Sequence, residues 1–281
     1  SSASPTHKII DALDQFESLS SSNEMVTVVG RVRAKRVHGG SMFVVVQDFS
    51  AQVQLFVSRS EIGEESYEKL ESLIDPADFI EAVGTLMLTK KGEKTLAIKS
   101  WRLITKAVLP LPEKWHGLTD METRFRKRYL DLVMSDDVKA RMVSRSRIIS
   151  AMRNFLNSQG FIEVETPTLQ PIYGGGFAKP FKTHHNALDA DFFLRISDEM
   201  YLKRLLVGSF EKVYEITKVF RNEGIDHDHN PEFTMFEAQI AYKDYNYGMD
   251  LFEELYENAT LNALGTTEID HSGVTVSVAR P

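Results

Sequence analysis

Between Val26 and Ile104 the apolar residues fall at every second position in short runs, the spacing of strands with one buried face. Val26, Val28, Gly30 and Val32 alternate with polar neighbours, and residues 42–46 and 53–57 are short β-branched or aromatic runs. Residues 79–89 and 95–98 come next, with Trp101 to Ile104 closing the series. The rhythm changes to helical spacing once, at residues 64–74. Five strands with one helix after the third predict a small Greek-key barrel. Ahead of it, residues 1–23 are polar and Ser-rich, with weak helical spacing at Ile9, Ile10, Leu13 and Phe16. That segment is expected to pack loosely on the barrel.

Beyond the barrel the pattern mixes. Residues 107–119 read as a linker stiffened by Pro110 and Pro112, and residues 121–132 as a basic amphipathic segment. Ser135 is placed to cap a long helix, with Asp136 and Asp137 at its positive end. Ile148, Met152, Phe155 and Leu156 form its apolar stripe, and Gly160 ends it. Ser197-Asp198-Glu199 caps a second helix that runs to Val207 and stops at Gly208. Asp244 caps a third, whose stripe Tyr245, Met249, Phe252, Leu255 and Ala259 is expected to be core, with Gly265 as its stop. Residues 274–278 start a strand. The predicted class is α+β.

The segment with most chemistry lies between the last two helices. Residues 213–216 and 219–220 suit a strand, residues 224–231 crowd Gly, Asp, Asn and Pro into a turn, and alternation resumes at Glu232. In a hairpin, Phe233, Met235, Glu237, Gln239 and Ala241 share one face, and Thr234, Phe236, Ala238, Ile240 and Tyr242 the other. The second set is apolar enough for a core. The first puts a ring, a carboxylate and an amide in a row, with Arg221 and Glu223 on one face of the opposite strand and His229 in the turn. A guanidinium forks onto phosphate oxygens, a ring stacks a base, and a carboxylate accepts from an exocyclic amine or an ammonium. A solvated hairpin face with incidental charges is the competing reading of the pattern alone.

Composition narrows the classes. The chain has 281 residues, no cysteine, and 40 acidic against 33 basic side chains, a net charge of -7. Disulfides and cysteine zinc sites are excluded. The reading is a cytoplasmic protein with no bilayer-spanning run and no signal pattern. The balance argues against indiscriminate nucleic-acid binding, yet basic residues cluster at Arg31, Arg33, Lys35 and Arg36, at Arg124, Arg126, Lys127 and Arg128, and at Arg141, Arg145, Arg147 and Arg153. No Walker loop, Rossmann fingerprint or Gly-x-Ser-x-Gly string is present. His184-His185 and the Asp226 to His229 run are weak metal signals, and no protein-ligated metal site is assigned.

The strings themselves carry a resemblance. Phe220-Arg221-x-Glu223, a loop, then His229-x-x-x-Phe233 resembles motif 2 of the class II aminoacyl-tRNA synthetases, and Gly160-Phe161-Ile162-Glu163-Val164-Glu165-Thr166-Pro167 resembles their motif 1. The run from Arg36 to Asp48 is similar to the anticodon-binding barrel of the lysine, aspartate and asparagine subgroup. Residues 111–118, 128–132 and 183–189 are similar to lysyl-tRNA synthetases.

The resemblance implies residues 1–106 as an N-terminal extension and OB-type barrel, 107–119 as linker, and 120–281 as the N-terminal part of a class II catalytic domain, an antiparallel sheet flanked by helices and incomplete at the C-terminus. It implies a lysine-tRNA ligase that uses ATP and magnesium to form lysyl-adenylate and then charges tRNA(Lys), as a homodimer through the motif 1 helix and strand. The alternatives are an aspartate or asparagine ligase, or a non-catalytic tRNA-binding or dimerisation fragment. Arg221, Asn222, Glu223, His229, Asn230 and Phe233 would bind ATP, with Arg221 the catalytic residue. Gly175, Glu199, Arg221, Glu237 and Gln239 would meet the amino acid, and Arg36, Phe43 and Gln54 the anticodon. Gln239 stands where the family usually has tyrosine, and motif 3, with the family's magnesium-binding acidic residues, would lie beyond Pro281.

Overall fold

The structure is a computed structural model and describes residues 2–112, 118–226 and 228–280. The Glu113-Lys114-Trp115-His116-Gly117 part of the linker string and His227 of the acidic turn lie outside the described residues. The chain divides into two compact units, Ser1–Met134 and Ser135–Pro281.

The first unit opens with helices α1 (Ile9–Asp14) and α2 (Phe16–Ser21), followed by strands β1 (Val26–His38), β2 (Ser41–Gln47) and β3 (Gln52–Ser58). Helices α3 (Arg59–Ile62) and α4 (Glu64–Leu73) lead to β4 (Phe79–Leu88) and β5 (Lys94–Thr105). The strands close into a barrel in the order β1-β2-β3-β5-β4. The predicted strand alternation is visible in the burial: Met42, Val44 and Val46 of β2 are buried between half-buried neighbours. The two apolar runs at 95–98 and 101–104 form one strand. A register shift opposite Val83 and Gly84 absorbs the extra residue between them. The helical interruption is the single helix α4, and a further short helix, α3, precedes it across Gly63, whose φ is 80°.

Residues 1–23 do not pack loosely. Ile9, Ala12, Phe16 and Leu19 are buried in the same core cluster as the barrel strands. The loop after β2 fixes them there: Asp48 Oδ2 accepts from Ile9 N–H at 2.9 Å, and Ser50 Oγ from Ile10 N–H at 3.1 Å. The same Asp48 carboxylate also accepts from Ser50 and Ala51, which holds its pKa below the usual carboxylate value despite partial burial. Polar composition concealed a two-turn apolar stripe.

Residues 121–132 form two helices rather than one, α5 (Met121–Arg126) and α6 (Arg128–Met134). The break at Lys127 lets Arg124 and Arg128 converge on Asp131, which is 2% exposed. These helices group with the barrel, and Arg33 Nη1 donates to Val133 O at 2.8 Å.

The second unit starts with α7 (Asp136–Ser158), then β6 (Ile162–Glu163), β7 (Leu169–Gln170), β8 (Lys182–His185), β9 (Ala190–Leu194) and α8 (Glu199–Val207). Strands β10 (Lys212–Phe220) and β11 (Glu232–Ile240) come next, then α9 (Tyr245–Leu264) and the hairpin β12 (Glu268–His271) and β13 (Val274–Ser277). β10 is central, antiparallel to β11 and parallel to β6. One sheet face packs Tyr214, Ile216, Phe236, Ala238 and Ile240 against Phe155, Leu156 and Leu255. Tyr214 donates to Asn157 and Glu163 from that face; burial, then the Glu163 charge, push its phenol up to about 12.

Ser135 occupies the N-cap of α7 without a capping side-chain bond. The α9 stripe divides. Leu255 and Ala259 are buried, together with Thr260 and Ala263, while Tyr245, Met249 and Phe252 are exposed. The helix turns its 255–259–263 line inward, and the adjacent line carries the aromatics outward. Asp244 caps it by accepting from Tyr247 N–H, and Gly265 stops it in the left-handed conformation.

Candidate functional site

The hairpin register decides which side chains meet. Thr217 pairs with Met235, Glu215 with Glu237 and Val213 with Gln239. Pairs directly opposite share a face, so Glu215, Glu237, Gln239 and Phe233 lie together, away from the core cluster. Beyond the ladder, Arg221 N–H donates to Pro231 O at 2.9 Å, which carries the pairing one residue further on each strand. Arg221 then places its guanidinium over the Phe233 ring, 5.1 Å from the centroid. Its Nε is buried with no hydrogen-bond partner among the described residues. A fork and a flat ring are thus preassembled on one surface.

The neighbours of Arg221 are fixed by backbone. Asn222 N–H donates to Lys179 O at 2.7 Å, and Lys179 N–H donates to Glu223 Oε1 at 3.3 Å. His229 is held in its own turn, its Nδ1 2.7 Å from Asp226 Oδ1, and Asp226 raises its pKa. Asn230 is exposed beside it.

The far end of the hairpin face is built around Ser197, which in the sequence signals only part of a cap. Its Oγ accepts from Glu199 N–H at 3.1 Å and donates to Glu237 Oε1 at 2.7 Å, so one hydroxyl joins α8 to β11. Gly175 lies against it. A Cβ there would meet Ser197 Oγ at 2.6 Å and Glu199 Cβ at 3.3 Å, and its φ is +87°, a conformation open to glycine. Gly175, Glu199 and Glu237 are thereby brought together, with Gln239 next along the same face. Glu199 is also paired to Lys203 one turn on.

Under this row lies a buried ion pair that the period-2 pattern does not single out. Arg195 and Glu215 are 3% and 4% exposed and 2.8 Å apart. Thr166 Oγ1 donates to Glu215 at 2.6 Å, and Arg195 donates to Thr166 O, Lys218 O and Thr217 Oγ1. Asp198 is fully buried at the N-cap of α8, and neither carboxylate oxygen has a hydrogen-bond partner among the described residues. Burial first, then the Glu237 charge, push its pKa up to about 7. A carboxyl whose pKa is raised on folding stabilises the fold most at low pH and loses that contribution as pH rises through the folded value. Stability of the ligand-free protein is therefore expected to fall between about pH 4 and about pH 7. Asp198→Asn should flatten that decline in urea titrations; an unchanged slope would assign it to other groups.

On the barrel, Arg36 pairs with Phe43 across β1 and β2, and Phe43 with Phe56 across β2 and β3. The two rings are 5.3 Å apart on the outer face, since Met42 and Val44 take the core. Phe43 is therefore not a core side chain. Gln54 lines the same groove, its Nε2 donating to Thr95 Oγ1 at 3.1 Å. Phe56, His38, Lys90 and Lys91 join it. Phe56 is readable from the period-2 run after Gln54; Lys90 and Lys91 arrive through the β4–β5 turn, which no periodicity reports. Most of the first basic cluster is engaged internally: Arg31 stacks on Phe79, Arg33 reaches Val133 O, and Lys35 donates to Glu71 O and Ile74 O, leaving Arg36 to the groove.

An OB-type barrel is thus followed by a unit whose hairpin carries an arginine stacked on a phenylalanine ring and, on the same face, the carboxylates Glu215 and Glu237. Residues 120–279 match the class II tRNA synthetases (D, K and N), and residues 26–104 the OB-fold nucleic acid binding domain. The chain belongs to the class II tRNA synthetase family of the aspartate, lysine and asparagine type. It is 48% identical over 276 residues to the lysine–tRNA ligase of Carboxydothermus hydrogenoformans, covering 98% of this chain and 56% of that protein. Identity to the lysine–tRNA ligase of a Roseiflexus species is 49% over 272 residues, 96% of this chain and 56% of that protein. For the Methanoculleus marisnigri lysine–tRNA ligase it is 48% over 260 residues, 92% and 51%. The chain thus spans about half the length of these curated relatives. Among the described residues, no helix is long and apolar enough to cross a membrane.

Proposed function

We propose that the protein activates lysine with ATP and transfers it to tRNA(Lys). The observation that carries this reading is the single hairpin face on which Arg221 and Phe233 stand beside the Gly175, Glu199 and Glu237 cluster. The lysine–tRNA ligase relatives support lysine over aspartate or asparagine.

In the first step the lysine carboxylate oxygen attacks the α-phosphorus of ATP, the bond to the β-phosphate bridge breaks, and pyrophosphate leaves. Arg221 bridges the incoming carboxylate and the α-phosphate, holding the developing negative charge. Phe233 stacks the adenine, Glu223 accepts from its amino group, and Asn222, His229 and Asn230 line the nucleotide site. Glu199 and the Gly175 carbonyl take the α-ammonium, leaving Glu237 and Gln239 for the side chain. In the second step a terminal ribose hydroxyl of the tRNA attacks the acyl carbon and AMP departs. Positioning does most of this work.

Among the described residues no group of three or more His, Asp or Glu is arranged to hold a metal ion. Magnesium is accordingly assigned to the phosphates of the incoming ATP, and no step is routed through it. The barrel groove is assigned to the anticodon, a homodimer to α7 with the segment after it, and the location to the cytoplasm.

ATP–pyrophosphate exchange with lysine, aspartate and asparagine tests the central claim: exchange should require lysine, and exchange with aspartate alone would end it. Phe43→Ala should weaken tRNA(Lys) binding by about 1–3 kcal/mol without altering exchange. Unchanged affinity in a filter-binding titration would remove the groove from RNA recognition.

A further inference from the structure

We propose that Asp198 is a specificity-determining residue: its buried, unpartnered carboxylate forms, with Glu237, an anionic pair that takes the side-chain ammonium of a diamino acid. The inference rests on the reading that this site activates an amino acid, and it adds a residue that reading did not use.

A residue at this position most simply caps α8. It does not: the first-turn amide of Glu199 donates to Ser197 Oγ at 3.1 Å, and the Asp198 carboxylate accepts from no other described residue although it is fully buried. Leaving a carboxylate in that state is unfavourable unless it is protonated or awaits a cation. The surrounding charges can be accounted for one by one. Glu215 is answered by Arg195 at 2.8 Å, and Glu199 by Lys203. Glu237 receives a neutral hydroxyl from Ser197. Asp198 accepts from no other described residue and faces the Glu237 and Glu215 charges, opposed by its own backbone amide and by Arg195.

Two carboxylates therefore lack a salt-bridge partner among the described residues, on the elements that Ser197 joins and that carry the glutamate assigned to the α-ammonium. A ligand with one ammonium satisfies Glu199 and leaves that pair unanswered. A ligand with a second ammonium relieves the repulsion between Asp198 and Glu237. Gln239, along the same face, offers an acceptor without charge and so cannot supply this selection. Entry of the cation also lowers the Asp198 pKa from about 7, so binding near neutrality releases a proton, and affinity rises with pH across that range.

Calorimetric titration of the full-length protein with L-lysine and with L-norleucine, which has the same chain but no terminal amine, provides the test. It is run from about pH 6 to about pH 8 in two buffers of different ionisation enthalpy. The wild type should bind lysine more tightly as pH rises and release a proton on binding below neutrality. Asp198→Asn should lose about tenfold or more in lysine affinity, together with the pH slope and the proton release. Its norleucine affinity should not change.

Lysine binding to the wild type with no proton release overturns the inference without any variant. An Asp198→Asn protein that keeps its lysine affinity, or loses lysine and norleucine equally, also overturns it, and leaves the amino-acid-activation reading intact. A wild type that binds neither compound ends both. Asp198→Ser repeats the comparison with a smaller neutral side chain, so poor folding of one variant does not decide the result.

Discussion

Arg221→Ala is expected to lower lysine-dependent ATP–pyrophosphate exchange by about 10²–10³-fold, the usual loss when one preorganised donor to a developing charge is removed. The expectation comes from how the guanidinium is held. Phe233 supports one face of its plane at 5.1 Å, and the backbone bond to Pro231 O fixes the base of the side chain. Its hydrogen-bonding edge is left for anionic oxygens. Arg221→Lys keeps the charge but not the planar fork, and should fall between wild type and alanine. Affinity for tRNA, measured separately, should be nearly unchanged, because the barrel groove is a different surface. An exchange rate that survives the alanine substitution would strip Arg221 of its role.

The largest stability effect is expected at Arg195. Arg195→Ala would leave Glu215 buried and ionised beside Asp198 and Glu237, and should cost about 3–5 kcal/mol in urea unfolding. Replacing both partners, as Arg195→Met with Glu215→Leu, should recover a large part of that loss, since the stranded charge is gone. If the single and double variants are equally unstable, packing rather than charge dominates the pair. The site is close enough to the substrate cluster that the double variant should also disturb exchange. Stability and activity then separate only in the unfolding measurement.

Much of this architecture is legible from periodicity. Barrel strands, the hairpin and its two faces follow from alternation, because side chains two apart on a strand must share a side. Arg221 and Phe233 can be paired in advance for that reason. Four features are hidden. The Ile9, Ala12, Phe16 and Leu19 stripe is diluted by serines, and its anchoring partner Asp48 lies far along the chain. The α9 stripe reads as wholly buried, since one helical period cannot tell an inward line from its neighbour. Asp198 and Arg195 resemble ordinary surface charges in sequence. Only the packing of α8 and the 166 region over β10 makes them buried, and that is a long-range fact. The hydroxyl of Ser197, which ties the backbone amide of Glu199 to the Glu237 carboxylate, is equally invisible, as serine before a helix usually signals nothing more than a cap.

The two short helices ahead of the barrel bear on how the barrel module can be handled. The OB-fold match begins at residue 26, which invites cutting the polypeptide there. Doing so would strip away Ile9, Ala12, Phe16 and Leu19 and turn the apolar surface they cover toward water. A trimmed module should therefore be sticky and prone to self-association, whereas one retaining the leading residues should stay dispersed.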